Sequence, residues 1–414
     1  MEHVMHGRCT LCDRTADTEK HLTCPSCGEQ GILEIEYDYV TMKQTINHAY
    51  FQNNVDPTLW RYRPMMSLKD TDFTRGLYLP LTPLIDAPRL ARDLGINALR
   101  LKDETRQPTG SLKDRASAVA CFKALEQGAT HVACASTGNA ASSLAGNAAK
   151  LGLQSVIFVP ERAPKGKLAQ LMVYGADVVR VQGDYKAAFT LSKAAIDHHG
   201  WYNRNAAINP HLVEGKKTVA LEIAEQCLFE PPDWVVVSVG DGCTIAGVHK
   251  GFYDLKQLGL INRVPKLLGV QAEGCAPFAL AHETQQNLVE CEENTLADSI
   301  AVGIPRNPVK GLRAVKRSNG AFVRVSDEAI LEAMKTLGKT EGVFAEPAAS
   351  AVIAGLSVAL KTNLIAPETT VVAIITGNGL KDTDSANRAT GEAAHLPADL
   401  PTLIAHRKDR DNHA

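Results

Sequence analysis

No run of apolar residues in this 414-residue chain is long enough to cross a bilayer; the longest, at residues 234–239 and 371–375, are strand-sized. The N-terminus, MEHVMHGRCTLCDR, lacks the apolar core of a signal peptide. Neither charge is in surplus. Lys and Arg total 44 against 46 Asp and Glu, a formal charge of −2, whereas a general binder of nucleic acid or acidic membrane carries a basic excess. Fixed-period repeats, heptads and low-complexity tracts are missing. With 45% hydrophobic and 22% charged residues, the composition excludes wholesale disorder. Both nucleotide fingerprints fail. Gly240, Gly242 and Gly247 have the wrong spacing for GxGxxG, and Gly215-Lys216 lacks the upstream glycine of a P-loop. What remains is a soluble, cytoplasmic chain of two to three domains, with a small-molecule partner and neither nucleic acid nor membrane.

The ten cysteines divide unequally. Four form Cys9-x2-Cys12 and Cys24-x2-Cys27, while Cys121, Cys134, Cys227, Cys243, Cys275 and Cys291 are scattered among apolar neighbours and read as small buried hydrophobes. Two CxxC knuckles present four thiolates to one tetrahedral Zn2+. A redox CxxC opens a helix in a thioredoxin-like unit; here Pro25 and Gly28 mark a turn instead. The expectation is a structural zinc ribbon, a folding element without catalytic work.

Downstream the chain alternates strands and helices. Strands are expected at residues 132–136, 154–160, 177–181, 234–239, 267–272, 322–325 and 370–376, with helices at 140–150, 165–174 and 185–198 between the first ones. Continuous apolar strands joined by helices imply parallel sheets covered on both faces. Ligands bind such sheets just past the carboxyl ends of strands, and three loops sit there. Ser136-Thr137-Gly138-Asn139 opens a helix and offers amide donors to a carboxylate or phosphate. Gly240-Asp241-Gly242-Cys243-Thr244 allows close approach of backbone to an anion. Thr376-Gly377-Asn378-Gly379 follows a strand directly. A tight turn is the bland alternative for each. A fourth segment, LKDETRQPTGSLKDR, puts Lys113 after a Pro-Gly turn at a helix start. The positive helix end lowers a lysine pKa toward the neutral amine of a Schiff base. A surface lysine is the alternative.

PTGSLKDR, STGN, GDGCT, AEPAASA and TGNGLKD, in this order, resemble the pyridoxal-phosphate enzymes of fold type II, and among them the threonine synthases. Leu59-Trp60-Arg61-Tyr62, Leu81-Thr82-Pro83-Leu84 and the cysteine knuckles also fit, so the resemblance runs from Cys9 to about Asp382. It implies an α/β fold: two parallel-sheet domains with the cofactor cleft between them, and a small N-terminal zinc ribbon. The implied division is residues 1–40 for the ribbon, 41–113 with 211–395 for a large cofactor-binding domain, 114–210 for a small domain, and 396–414 for a peripheral tail. A homodimer is the implied assembly. Lys113 would carry pyridoxal 5'-phosphate as a Schiff base and act as the catalytic base. Asn139 would bond the ring hydroxyl, and Gly240, Asp241, Gly242, Cys243 and Thr244 would cradle the phosphate. Thr376 would face the pyridine nitrogen, where a hydroxyl need not keep the ring protonated, which suits elimination. Ser136, Thr137 and Ala140 would hold the substrate carboxylate. Cys9, Cys12, Cys24 and Cys27 would hold the structural zinc.

The implied reaction converts O-phosphohomoserine and water to threonine and phosphate. Two segments depart from the threonine synthase pattern. The family commonly has Asn-Pro-His-Arg-Leu-Glu-Gly, whose arginine binds the substrate phosphate; this chain has Leu212 there, in Asn209-Pro210-His211-Leu212-Val213-Glu214-Gly215. GDGCT replaces Gly-Asn-Ala-Gly-Asn and brings an aspartate near a phosphate. Either another cation takes over, with Lys102, Arg106, Arg162, Lys165 and Lys167 as candidates near in sequence, or the substrate differs. The second branch is a serine or threonine dehydratase, or a β-replacing enzyme acting on phosphoserine in the manner of a cysteate synthase. Outside this class stand a zinc-ribbon nucleic-acid binder, disfavoured by the charge balance, and an inactive relative, disfavoured by the presence of Lys113.

Overall fold

The computed structural model describes residues 3–163 and 165–411. Among them are three sheets. The first is antiparallel, in the order Thr15–Ala16, Val4–Cys9, Gly28–Tyr37, Thr23–Cys24. The second is parallel, in the order Tyr202–Asn203, His131–Ala135, Gln154–Pro160, Asp177–Val181. The third runs Ala321–Val325, Lys266–Ala272, Trp234–Ser238, Thr370–Ile375, Ala98–Asp103, all parallel, and ends on Leu84–Asp86. That last strand is antiparallel, which corrects the expectation of purely parallel sheets. Residues 87–97 connect it to its neighbour, and a parallel crossover needs about a dozen residues or more.

The central strands are apolar without alternation because helices cover both faces, and Trp234–Ser238 is buried along its whole length. One core cluster joins the second and third sheets through their shared helices, and another fills the opposite face of the third sheet with Val236, Leu268, Val352 and Ile375.

Three helices, Lys113–Glu126, His211–Gln226 and Cys243–Gln257, meet at glycines. A methyl on Gly215 would overlap the Arg115 carbonyl, and one on Gly251 would overlap the Lys217 carbonyl. These glycines therefore serve close helix approach, which is why they fit no nucleotide motif. Buried charges fix the same helices to the sheet: Arg115 donates to Glu104 and Glu222, and the Lys102 ammonium reaches Glu222 at 2.7 Å and the Thr82 carbonyl at 2.7 Å.

The N-terminal sheet docks on this helical layer. Tyr37 donates to Glu214, Lys310 donates to the Leu33 carbonyl at 2.6 Å, and Ile32 packs against Ala207 and Cys243. Within the tail, Leu400–Asp411 is a helix. Pro401 falls in its first turn, where proline's missing N–H costs nothing. Among the described residues no helix is long and apolar enough to cross a membrane.

Candidate active site

The turn before Lys113 is held by the residue after it. The buried Asp114 carboxylate accepts from the Thr109 amide at 2.7 Å and the Thr109 hydroxyl at 2.8 Å, and Gly110 takes a φ of +81°. Only the left-handed region closes the turn here, so glycine is required. The strand-end loop at residues 376–379 is stitched to this turn. Leu112 N–H donates to the Thr376 carbonyl and Asn378 N–H to the Gly110 carbonyl, both at 2.9 Å. Lys113 and Thr376 are thus fixed relative to each other by main-chain bonds.

Lys113 opens onto a cavity shared by the second and third sheets. Asn139 and Ala140 enter it from the helix Asn139–Leu151, and Thr376 from the end of Thr370–Ile375. Gly240, Asp241, Gly242, Cys243 and Thr244 line its far wall. Ser136 and Thr137 do not line the cavity; they are half-buried in the loop beside it, where Ser136 Oγ accepts from the Gly138 amide at 3.2 Å. Nor does Leu212, which is buried in the main core. Of the cations near in sequence, Lys102 is locked to Glu222, Arg106 is bound to Asp103 at 3.1 Å, and Arg162 is exposed; none lines the cavity. The side chains of Lys165 and Lys167 lie outside the described residues.

Three cavity residues were not legible in the sequence: Glu346, Arg204 and Lys216. Glu346 caps no helix with its side chain; instead it accepts from Asn139 Nδ2 at 2.8 Å. That contact also shows that Asn139 is not spent as a helix cap. A methyl on Gly377 would overlap the Glu346 carboxylate, so the TGNG glycine makes room for an acid. AEPAASA contained the signal, but an isolated Glu-Pro reads equally well as a helix start.

Lys113 keeps part of its surface accessible in the cavity, yet the surrounding protein desolvates the amine. Burial first, then the cations Lys216 and Arg204, bring it down to about 8, against the opposing pull of Glu346 and Asp241. The expected lowering is present, with desolvation and two cations behind it.

An anion fits the wall at residues 240–244. Gly242, at φ +81°, ends the loop and begins the 15-residue helix Cys243–Gln257 without any side-chain cap. A methyl there would come 2.8 Å from the Asn307 carbonyl and 2.6 Å from the Phe278 ring. The first-turn amides and the helix dipole thus face the cavity over a backbone with no room for a side chain. Asp241 does not defeat this, because its Oδ1 accepts from the Arg306 amide at 3.1 Å. A lysine with its pKa lowered to about 8, a facing run of helix-start amides that suits an anion and a hydroxyl-bearing strand end together fit pyridoxal phosphate.

The four N-terminal cysteines also converge. Their sulfurs lie within 4.8 Å of one another, with Cys12 and Cys24 at 3.7 Å. Thiolates about 2.3 Å from one tetrahedral ion sit roughly 3.8 Å apart. Gly31 is packed beneath them; a methyl there would meet Cys24 Cβ at 2.5 Å and Cys27 Cβ at 2.7 Å.

Fold and site together define a fold type II pyridoxal-phosphate enzyme. The family profile described as "Pyridoxal-phosphate dependent enzyme" matches residues 77–377, and the chain belongs to this family. It is 38% identical over 402 residues to the threonine synthase of Methanocaldococcus jannaschii, covering 96% of this chain and 98% of that protein. It is 36% identical to the threonine synthase of Methanosarcina acetivorans, over 81% of this chain and 82% of that one. Among solved structures, the processed threonine deaminase isoform 2 of Solanum lycopersicum superimposes with a TM-score of 0.66 at 23% identity, covering 82% of this chain and 94% of that one. Diaminopropionate ammonia lyase of Escherichia coli does so with a TM-score of 0.67 at 18% identity, covering 79% and 95%. At these identities the structural likeness speaks for the fold.

Proposed function

We propose that this chain is a threonine synthase, converting O-phosphohomoserine and water to threonine and phosphate. The carrying observation is the cavity in which Lys113, desolvated and flanked by cations, faces Asn139, Thr376 and the cradle at residues 240–244. Identity of 38% along nearly the whole length of a named threonine synthase supports the substrate class.

Pyridoxal phosphate, when bound, supplies an electron sink for negative charge developing at the substrate's Cα. Asn139 and Thr376 would hold its ring, and the amides at residues 240–244 would hold its phosphate. Ala140, which lines the cavity at the start of the helix Asn139–Leu151, would orient the substrate carboxylate; Ser136 and Thr137 lie in the loop beside the cavity and would act only through that helix start. With an amine pKa of about 8, Lys113 is in part neutral near pH 7.5 and so can act as a base. It then removes the Cα proton and serves as the proton shuttle at Cβ while phosphate departs from Cγ and water adds at Cβ. Glu346, bonded to Asn139, fixes that amide's direction.

Cys9, Cys12, Cys24 and Cys27 bind one Zn2+ as a closed structural site. All ten cysteines are unbridged, which suits a reducing cytoplasm.

The direct test is turnover of O-phosphohomoserine with threonine and phosphate measured together. Lys113→Ala is expected to abolish both turnover and the visible absorption band of the bound cofactor. Release of a 2-oxo acid from serine or threonine, with O-phosphohomoserine ignored, would overturn the reading in favour of a dehydratase.

A further inference from the structure

Among the described residues, two buried cations in the cavity have no carboxylate partner. Arg204 is 2% exposed and Lys216 3% exposed, and both line the wall. Arg204 donates through Nε and Nη2 to the Ser117 hydroxyl at 3.1 Å, a neutral acceptor. Among the described residues, Lys216 has neither a hydrogen-bond partner nor an ion-pair partner. Its helix shows how unusual that is. The adjacent Lys217 is bound to Glu214 and to Asp254 at 2.7 Å, and Glu222 is bound to Arg115 and Lys102. A buried charge left unpaired is costly, so a pair of them facing one cavity suits an anion that arrives with a ligand.

The cavity must accommodate two phosphates under the threonine synthase reading. The cofactor's has the amide cradle and helix end at residues 240–244. The substrate's has no such cradle, and the position where the family places its arginine is Leu212, buried in the core. We propose that Arg204 and Lys216 together form the seat for the substrate's phosphoryl group, in place of an arginine at position 212. The proposal rests on the threonine synthase reading for the identity of the substrate. Its chemistry, a cation pair receiving a phosphate dianion, stands on the geometry alone. Arg204 offers Nη1 beside the two donors already used, and Lys216 offers an ammonium with free donors. Phosphate released at Cγ would leave from this seat.

The cofactor's own phosphate is the competing occupant, and the test separates the two. The probe is inorganic phosphate titrated into the natural holoenzyme as a competitive inhibitor, alongside KM for O-phosphohomoserine and the dissociation constant of pyridoxal phosphate. Arg204→Gln and Lys216→Gln are each expected to weaken phosphate inhibition and raise KM by about tenfold or more, as loss of a charge-assisted contact does, with cofactor affinity unchanged when measured at a pH above the Lys113 midpoint of every variant. Lys216→Arg keeps the charge and is expected to retain phosphate inhibition, which separates loss of the seat from misfolding. A fall in cofactor affinity with phosphate inhibition intact would overturn the proposal and assign the pair to the cofactor. Unchanged values throughout would overturn it as well. A holoenzyme that ignores O-phosphohomoserine yet binds phosphate through these two side chains would sink the functional reading and leave the seat standing.

Discussion

An exposed lysine has a pKa near 10.4 and is almost wholly protonated at pH 7; Lys113 is brought to about 8 by burial and by Lys216 and Arg204. Glu346 and Asp241 pull the other way. The balance has a measurable consequence, because only the neutral amine attacks the aldehyde of free pyridoxal phosphate. Below pH 8 the apoprotein should capture the cofactor more slowly with each step down, and above it the rate should level off. Removing a neighbouring cation favours the protonated form, so Lys216→Gln is expected to move the midpoint upward. Stopped-flow absorbance across pH 6 to 10 checks both statements. An unmoved midpoint would show that Lys216 does not help to set the amine.

The turns and strands around that lysine were legible because each rests on local chemistry. Residues 154–160 and 177–181 form strands as expected, and the glycine loops follow strand ends because parallel sheets leave them there. What stayed illegible depends on partners far away in the chain. Lys216 and Lys217 are adjacent and chemically alike, yet one meets Asp254 and the other the cavity; only the helix's rotation decides which. Gly215 and Gly247 carry no local signal, since their need arises from a second helix. The edge strand Leu84–Asp86 and the ribbon's docking face are of the same kind. That docking face joins the four-cysteine element, expected to be a folding element without catalytic work, to the wall of the cavity. Ile32 packs on Cys243, the first residue of the helix that ends at the phosphate cradle. Chelation of the metal is therefore expected to lower the unfolding midpoint and also to weaken pyridoxal-phosphate binding severalfold. Gly31→Ala, which crowds Cys24 and Cys27, should reproduce both effects in the presence of zinc. Metal-free protein with unaltered cofactor affinity would show the two elements to be uncoupled.

At the scale of the molecule, the helix His211–Gln226 joins all the parts: the ribbon through His211 and Glu214, the sheet through Glu222, and the cavity through Lys216. The charges that hold it also make the fold acid-sensitive in a defined order. His211 is buried with Nε2 3.3 Å from the Thr18 carbonyl and Nδ1 2.7 Å from the Ser67 hydroxyl. A carbonyl only accepts, so Nε2 carries the hydrogen and Nδ1 takes the Ser67 proton. Both nitrogens are satisfied in the neutral ring, and burial, then the nearby Lys123, hold its pKa down to about 3. An unfolded histidine titrates near 6.5. Between those values the unfolded chain binds a proton that the native chain does not, so stability falls as pH falls, by at most about 1.4 kcal/mol per pH unit for one group. His249, held to about 4 by burial, acts in the same direction. Glu222, brought to about 2 by Arg115 and Lys102 despite its burial, contributes only below about pH 4.3, where an unfolded glutamate begins to protonate. Between pH 6.5 and 4.5 the two histidines therefore lower stability, opposed by Asp114, whose burial raises its carboxyl to about 6 so that the native chain takes up a proton there before the unfolded one does. His211→Gln keeps a donor and an acceptor but cannot titrate. It is expected to lower stability at pH 8 by about 1 kcal/mol through poorer hydrogen-bond geometry, and to flatten the decline between pH 6.5 and 4.5 relative to the natural protein. Urea unfolding at half-unit pH steps, with zinc held constant, gives the difference between the two curves. Parallel curves would mean that His211 takes up its proton in the native state too, and that the ribbon's seat on this helix tolerates the charge.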